Sequence, residues 1–285
     1  MRVAIHSRDF HSKSSAFIEN LISLLHSLGA DPIVSDQIKK HLTSPSKSFD
    51  HKSGLRNVDY FVSVGGDGTL LESVTYAAKQ EIPILGINTG RLGFLATVSR
   101  EETEKAIGMM CAGKMKTDKR TLLNLSSDVK LFNGFSYALN DFTIMKKDSS
   151  SMITVHVFVN GELLNSYWAD GIVVATPTGS TGYSLSCGGP LMVPGTDSLI
   201  ITPVSPHNLT ARPIVISDKS EITFKIEGRS KKFLVSLDSR FETIDDSVKL
   251  KIKRAPFKVK LLQFQGHNHF NTLRQKLNWG IDVRN

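Results

Sequence analysis

The chain has little cysteine and none of the long apolar runs that membrane proteins carry. Cys111 and Cys187 are the only cysteines among 285 residues, and neither has a Cys or His partner at metal-ligand spacing. No run of eighteen apolar residues occurs, and residues 1–7 are too poor in apolar side chains for a signal peptide. These absences argue against a disulfide framework and a zinc site, and they predict a cytoplasmic protein without a membrane partner.

The chain also lacks a long basic tract, although its net charge is positive. The formal net charge is +8 and the pI is about 9.4. The densest basic group, at residues 249–254, alternates along a predicted strand, as on a solvated sheet face. A dispersed basic surface suits small polyanionic substrates such as nucleotides. We therefore expect a nucleotide ligand and no nucleic-acid partner.

One stretch combines a strand, a glycine-rich turn and a helix. Residues 60–64 form a β-branched and aromatic run typical of a buried strand, and Gly65-Gly66-Asp67-Gly68 follows it. Apolar residues at helical spacing come next, so the turn opens a helix N-terminus, which favours anions. The turn is not a P-loop, because no lysine follows Gly68. It is not the dinucleotide fingerprint either, because the third glycine is missing.

Asp67 indicates that this turn does more than bind phosphate. A carboxylate among phosphate donors repels the anion, so its presence predicts a base for a hydroxyl proton or a carboxylate that holds Mg²⁺ beside phosphate. The alternative is a glycine turn whose Asp67 caps the helix.

The pattern of elements changes after about residue 117. Strands and helices alternate before it, whereas short strands with turn signals such as Asn160-Gly161 dominate after it. We predict an α/β N-terminal domain with a parallel sheet at residues 1–117 and a mostly β C-terminal domain at residues 118–264. Residues 265–285 are predicted to pack back on the first domain, and residues 36–54 to form a surface loop.

Two further motifs lie in the second domain. Residues 176–186, Thr-Pro-Thr-Gly-Ser-Thr-Gly-Tyr-Ser-Leu-Ser, carry many hydroxyls without charge, which suits ribose, an adenine edge or phosphate oxygens. A plain polar loop is the alternative. Asn140-Asp141 precedes an apolar stretch and suits either two sugar hydroxyls or a simple turn.

Taken in order, the motifs resemble those of the NAD kinases, and the resemblance extends from about Met1 to Phe264. The segment after Asp170-Gly171 is the most specific of them. The motifs are Gly65-Gly-Asp-Gly-Thr69, Gly86-Ile-Asn-Thr-Gly-Arg-Leu-Gly-Phe-Leu95, Asn140-Asp141, Asp170-Gly171, the hydroxyl-rich residues 176–186, and Pro206-His-Asn-Leu-Thr-Ala-Arg-Pro213.

This resemblance implies transfer of a phosphoryl group from ATP, or in some members polyphosphate, to the 2′-hydroxyl of the adenosine ribose of NAD. It implies a divalent cation, with Mg²⁺ expected, and a homodimer or homotetramer. It leaves the metal-holding residues unidentified. By motif position Asp67 is the expected base, with Gly68 beside it and Phe94 near the adenine. The residues expected to hold the nucleoside are Asn140, Asp141, Asp170, Thr181, Gly182, Tyr183, Ser184, Leu185 and Ser186.

The chain departs from the family pattern at three positions. Asp141 stands where most members have Glu, Gly182 stands where they have Ala, and Glu72 stands where many have a basic or small residue. Two other interpretations remain at this stage. One is a lipid or sugar kinase that shares the glycine turn, and the other is a non-catalytic NADP(H)-binding module.

Overall fold

The structure is a computed structural model that describes residues 1–8, 12–43, 46–51, 54–91, 93–147 and 151–278. Leu92 of the second glycine motif and the part of the predicted C-terminal segment from residue 279 onward lie outside the described residues. The strands are β1 Arg2–Ser7, β2 Asp31–Ser35, β3 Lys47–Phe49, β4 Tyr60–Val64, β5 Ile84–Ile87, β6 Lys116–Arg120, β7 Leu123–Ser127, β8 Tyr137–Ala138, β9 Asp141–Lys146, β10 Ile153–Val159, β11 Glu162–Ala169, β12 Gly171–Ala175, β13 Ser198–Val204, β14 Ile214–Ser217, β15 Ile222–Glu227, β16 Lys232–Leu237, β17 Arg240–Asp245, β18 Leu250–Arg254 and β19 Val259–Gln263. The helices are α1 Ser12–Ser27, α2 Asp36–Lys39, α3 Asp67–Ala77, α4 Thr103–Cys111, α5 Tyr183–Ser186 and α6 His269–Leu277.

The chain forms two compact units, and the first is discontinuous in sequence. It contains residues 1–119 together with the chain from Val259 onward, and residues 120–258 form the second unit. No described helix has both the length and the apolar character needed to cross a membrane.

The first unit is built on a mostly parallel sheet with the strand order β3-β2-β1-β4-β5-β19-β6. Neighbouring strands from β3 to β19 pair in parallel. Every residue of β5 is buried, which explains its continuous apolar run, because both faces of a parallel sheet are covered. The apolar face of α1, including Ile18, Leu21 and Leu25, packs into the same core as β1 and β4. The predicted α/β domain with a parallel sheet is confirmed.

The predicted surface loop at residues 36–54 contains regular structure instead. The short helix α2 and the edge strand β3 lie within it. Phe49 is 2% exposed and packs edge-on against Phe61, with ring centroids 5.8 Å apart. A single buried aromatic can anchor a three-residue strand, but so short a strand shows no periodicity in the sequence.

The boundary between the units differs from the predicted one by a strand. The predicted second domain, residues 118–264, includes β19, whereas this strand pairs in parallel with β5 of the first unit, Leu261 opposite Ile84. The apolar run of β19 suits a buried strand in either kind of sheet, so its sequence carries no sign of its partner. Helix α6 follows it and also belongs to the first unit.

The second unit consists of antiparallel strands in two sheets over a shared core. The strand orders are β11-β10-β15-β18-β7-β8 and β14-β13-β12-β9-β16-β17. Phe142 of β9 and Phe224 of β15 bring the sheets together, with ring centroids 5.6 Å apart. This unit confirms the predicted mostly β domain. It also places β12 and β9, which carry the second-domain motifs, side by side in the middle of one sheet.

Candidate active site

The glycine turn joins β4 directly to α3, as the sequence predicts. Gly65 has φ +151°, and a Cβ there would lie 2.3 Å from the Thr69 hydroxyl oxygen. Its N–H donates to the Ile87 carbonyl at 2.9 Å, which fixes the turn against the end of β5. Gly66 is the N-cap residue and Asp67 the first residue of the helix. The positive end of the helix dipole therefore lies at the turn.

The Asp67 carboxylate binds three consecutive backbone N–H groups of another loop. Phe94 N–H donates to Oδ2 at 2.8 Å, and the N–H groups of Leu95 and Ala96 donate to Oδ1 at 3.1 and 3.0 Å. Gly93 makes room for this arrangement, because a Cβ there would lie 2.0 Å from Oδ1. The carboxylate is thus held in one place by the loop after β5.

This geometry rules out one alternative for Asp67. Asp67 does not cap the helix, because its carboxylate bonds the distant loop and Gly66 is the cap residue. A carboxylate offers about four lone-pair sites. With three backbone donors bound, it keeps roughly one acceptor site for a ligand.

Gly68 and Phe94 are the other predicted site residues of the first unit: Gly68 follows Asp67 in α3, and Phe94 is one of its N–H donors. Gly68 is open apart from Arg8, whose Nη1 would lie 3.8 Å from a Cβ at this glycine. Arg8 Nε forms an ion pair with Glu72 Oε2 at 3.1 Å, so the acidic residue at position 72 holds a cation beside the turn. His6 and Arg8 keep the pKa of Glu72 below its ordinary value. Sequence reasoning missed Arg8, because no motif includes it.

The second unit brings Asn140-Asp141 together with the hydroxyl-rich segment. Thr176 N–H donates to the Asn140 carbonyl at 2.9 Å. Gly179 approaches so closely that a Cβ there would lie 2.1 Å from the same carbonyl oxygen. A Cβ at Gly182 would lie 3.7 Å from Asp141 Oδ2 and 3.8 Å from Asn140 Nδ2. The two motifs therefore lie side by side, at the start of β9 and just after the end of β12.

Asp141 is a buried carboxyl group with a strongly shifted pKa. It is 7% exposed. Burial raises its pKa to about 7, and the negative charge of Asp238 adds to the shift. Near neutral pH this side chain therefore exists in both forms, as an acceptor when ionised and as a hydroxyl donor when protonated.

Asp170 lies at the start of β12 and is paired with a lysine. Lys146 Nζ of β9 lies 2.5 Å from Asp170 Oδ1. The sequence gives no sign of this pair, because the two residues are neighbours only through the register of β9 against β12. Lys146 thus adds a positive charge beside candidate binding residues whose charged members, Asp141 and Asp170, are acidic.

Many hydroxyls of residues 176–186 have partners inside the protein. Ser180 donates to the Pro177 carbonyl at 2.7 Å, and the Thr181 hydroxyl donates to the Thr178 carbonyl at 3.2 Å. Ser184 is fully buried, with its oxygen 2.9 Å from the Thr202 hydroxyl. Tyr183 and Ser186 of α5 are exposed, and Leu185 is half-buried. The segment is thus a rigid, internally bonded turn that presents part of its polar surface.

No group of three or more His, Cys, Asp or Glu side chains suitable for a metal ion occurs within the described residues. Asp67 in particular has most of its acceptor capacity occupied by backbone N–H groups. Mg²⁺ is commonly held by one or two carboxylates together with substrate phosphates. The residues present fit a cation that binds in that way.

Comparison with known protein families gives a match in each unit. The model described as ATP-NAD kinase N-terminal domain matches residues 17–115, and the model described as ATP-NAD kinase C-terminal domain matches residues 139–264. Curated proteins named NAD kinase from Cytophaga hutchinsonii and Christiangramia forsetii are 48% and 41% identical to this chain. Each alignment covers 100% of both proteins.

Solved structures share the fold. Yeast NADH kinase complexed with NADH superposes with a TM-score of 0.90 over 100% of this chain and 89% of the other, at 24% identity. An NAD kinase from Archaeoglobus fulgidus in complex with ATP superposes with a TM-score of 0.77 over 98% and 99% of the two chains, at 26% identity. The regions matched by the two family models include the glycine turn and the Asn140-Asp141 pair.

The raised pKa of Asp141 predicts how stability depends on pH. The folded pKa of about 7 lies above the unfolded value of about 3.9. The folded state therefore binds this proton more tightly. This contribution is fully present below about pH 4 and is lost as the pH rises to about 7. Asp141→Asn removes the titration, so the stability of the wild type relative to the variant should fall by on the order of 2–4 kcal/mol across this window.

Urea denaturation at a series of pH values measures this difference. The control is Asp246→Asn, which changes an exposed carboxyl group of the same unit and should leave the pH dependence as in the wild type. A constant difference between wild type and Asp141→Asn from pH 4 to pH 8 would contradict the prediction.

Proposed function

The chain belongs to the NAD kinase family, and we propose that Asp67 is the catalytic base of the reaction that this family performs. NAD kinases transfer the γ-phosphoryl group of ATP to the 2′-hydroxyl of the adenosine ribose of NAD, which yields NADP. The observation that carries the proposal is the Asp67 carboxylate, fixed at the N-terminus of α3 by the N–H groups of Phe94, Leu95 and Ala96. A base must be held within hydrogen-bond reach of its proton.

The chemistry needs such a base, because a ribose hydroxyl is a poor nucleophile at neutral pH. The remaining acceptor site of Asp67 takes the hydroxyl proton as the ribose oxygen attacks the γ-phosphorus, while the bond from that phosphorus to the β,γ-bridging oxygen breaks and ADP leaves. The glycine turn and the helix dipole stabilise the charge on the transferred phosphoryl group. The match to both ATP-NAD kinase domain models argues against the lipid-kinase and sugar-kinase alternatives. The retained carboxylate argues against a non-catalytic binding module.

We assign nucleoside binding to the second unit. Asn140, Asp141 and Asp170 supply the polar side chains, and the segment Thr181–Ser186 supplies a rigid surface beside them. The support is the approach of Gly179 and Gly182 to the Asn140-Asp141 pair, which no larger residue at position 179 would allow. Asn140 can donate and accept at once, and this suits an adenine edge or a pair of sugar hydroxyls. Phe94 is assigned to the adenine side.

We propose that the divalent cation arrives with ATP and is not a resident cofactor. The described residues contain no preformed ligand cluster, whereas triphosphate oxygens are good ligands for Mg²⁺. When bound, the cation neutralises phosphate charge, a task that no P-loop lysine performs in this chain. The residues of the chain then orient the two substrates and move the proton.

Two properties of the whole protein are also proposed. We expect a homodimer or homotetramer, because Trp168 and Leu209 of the second unit are 50% and 85% exposed, and large exposed apolar side chains are common at interfaces. Sedimentation velocity measures this assembly.

We expect a cytoplasmic location, because both cysteines are free thiols, as in a reducing compartment. Cell fractionation tests the location.

Asp67→Asn should abolish most of the activity with ATP, Mg²⁺ and NAD. Removing a positioned base lowers kcat by ~10²–10⁴-fold. Asn can keep its carbonyl oxygen at the Oδ1 position, which preserves the bonds from Leu95 and Ala96, so the loop should stay in place. NADP formation is measured by a coupled dehydrogenase assay. Hydrogen exchange of the Leu95 and Ala96 amides reports whether the loop is retained.

The control is Asp59→Asn, which changes another first-unit carboxylate that accepts a backbone N–H, from Arg2 at 2.7 Å. It should leave kcat unchanged. If Asp67→Asn keeps amide protection at Leu95 and Ala96 and loses less than about tenfold in kcat, Asp67 only anchors the loop and the proposed base is wrong.

Excess chelator should stop turnover, and added Mg²⁺ should restore it. Since the described residues hold no ligand cluster, calorimetric titration of Mg²⁺ into the protein without ATP should give no saturable binding. Full activity in chelator would disprove the cation requirement. Tight Mg²⁺ binding to the nucleotide-free protein would disprove the proposal that the cation comes with ATP.

A further inference from the structure

A hairpin far along the chain holds the segment that carries Asn140 and Asp141. Strands β16 and β17 are joined by a tight turn at Asp238 and Ser239, and Leu237 pairs with Phe142 of β9. This register brings Asp238 beside the start of β9. Asp238 lies in none of the sequence motifs. It is neither the proposed base nor one of the nucleoside-binding residues assigned above.

Asp238 binds three consecutive backbone N–H groups of this segment. Leu139 N–H donates to Oδ2 at 2.9 Å, and the N–H groups of Asn140 and Asp141 donate to Oδ1 at 2.7 and 3.2 Å. The N–H of Asp238 itself donates to the Asp141 carbonyl at 2.9 Å. One residue therefore fixes the backbone orientation of both predicted nucleoside-binding residues.

The conformation of Asp238 is part of this arrangement. Its φ is +52°, a left-handed value that Asp and Asn tolerate better than most residues because of their short polar side chains. In this left-handed turn the carboxylate bonds residues 139–141. Burial raises the pKa of Asp238, while the backbone donors and the nearby Arg240 oppose that shift.

Arg240 holds the stretch just before the pair. Its guanidinium donates to the carbonyl oxygens of Phe135 and Tyr137 and lies over the Phe132 ring, 5.8 Å from its centroid. The hairpin therefore holds residues 135–141 at both ends, with a carboxylate for the N–H groups and a guanidinium for the carbonyls. On the opposite side, Thr176 binds the Asn140 carbonyl.

We propose that Asp238 is a positioning residue for NAD binding, which holds the main chain of residues 139–141 so that the Asn140 and Asp141 side chains face the nucleoside. The inference rests on the nucleoside-binding role proposed above for these two residues. Without the carboxylate, three N–H groups lose their acceptor and the segment samples other conformations. NAD then binds only the molecules in the competent conformation, so the apparent Kd for NAD rises in inverse proportion to the fraction of molecules in that conformation.

Two substitutions separate the effect of the Asp238 carboxylate from the effect of its left-handed backbone conformation. Asp238→Gly keeps the left-handed turn without strain and removes every side-chain acceptor. Asp238→Asn also tolerates this turn and keeps the Oδ1 acceptor for Asn140 and Asp141, but its amide group faces the N–H of Leu139. We expect KM for NAD to rise about tenfold or more in Asp238→Gly and by less in Asp238→Asn. KM for ATP and kcat at saturating NAD should change by less than about threefold.

The matched control is Asn160→Gly. Asn160 is also a left-handed hairpin residue, with φ +53°, and its side chain accepts the N–H of Glu221 at 2.9 Å. Its substitution removes the same kind of contact away from residues 139–141. Because Asn160 is exposed and accepts one N–H group instead of three, Asn160→Gly should lower the melting temperature by less than Asp238→Gly, while KM for NAD stays at the wild-type value.

Asn140→Ala in the same assays distinguishes this inference from its premise. A rise in KM for NAD in Asn140→Ala and in both Asp238 variants, in the order Gly above Asn, supports the inference. A rise in Asn140→Ala with wild-type KM in Asp238→Gly overturns it and leaves the proposed binding role intact. An unchanged KM in Asn140→Ala overturns the binding role and the inference with it. A fall in kcat at constant KM in the Asp238 variants also overturns the inference.

Discussion

Both units depend on the same interaction, in which one carboxylate accepts the N–H groups of three consecutive residues from a distant segment. Asp67 binds residues 94–96 in the first unit, and Asp238 binds residues 139–141 in the second. Three donors in a row make a concave, positive surface that suits a carboxylate without a full counter-charge. Such loops need no regular secondary structure to be rigid. Ligand-facing side chains can therefore sit on irregular backbone.

Local sequence patterns predicted the elements that local physics determines. The run at residues 60–64, the glycine turn and the Asn160-Gly161 hairpin lie where the sequence places them, because strand length, helix spacing and turn chemistry act over a few residues. The unit to which β19 belongs and the short elements of residues 36–54 differ from the prediction. Their positions depend on partners elsewhere in the chain, and a brief apolar run carries no record of its partner.

The site shows the same division. Asp67, Asn140, Asp141 and Asp170 stand in recognisable motifs, so the sequence identified them. Arg8, Lys146 and Asp238 do not, although each contacts or neighbours a motif residue. Lys146 meets Asp170 through the register of two strands, and Asp238 meets Asn140 across 98 residues of chain. A single sequence identifies the residues whose side chains carry the chemistry more readily than the residues that hold those side chains in position.

The discontinuity of the first unit has a consequence for how the protein is made. Strand β19 lies between β5 and β6, so the central sheet has a gap until residues Val259–Gln263 have been synthesised. The second unit is contiguous, at residues 120–258, and can fold co-translationally while the first unit still exposes the edges of β5 and β6. The sheet is complete only once β19 has been added, and a nascent chain stalled before Val259 would display an unpaired strand edge prone to aggregation.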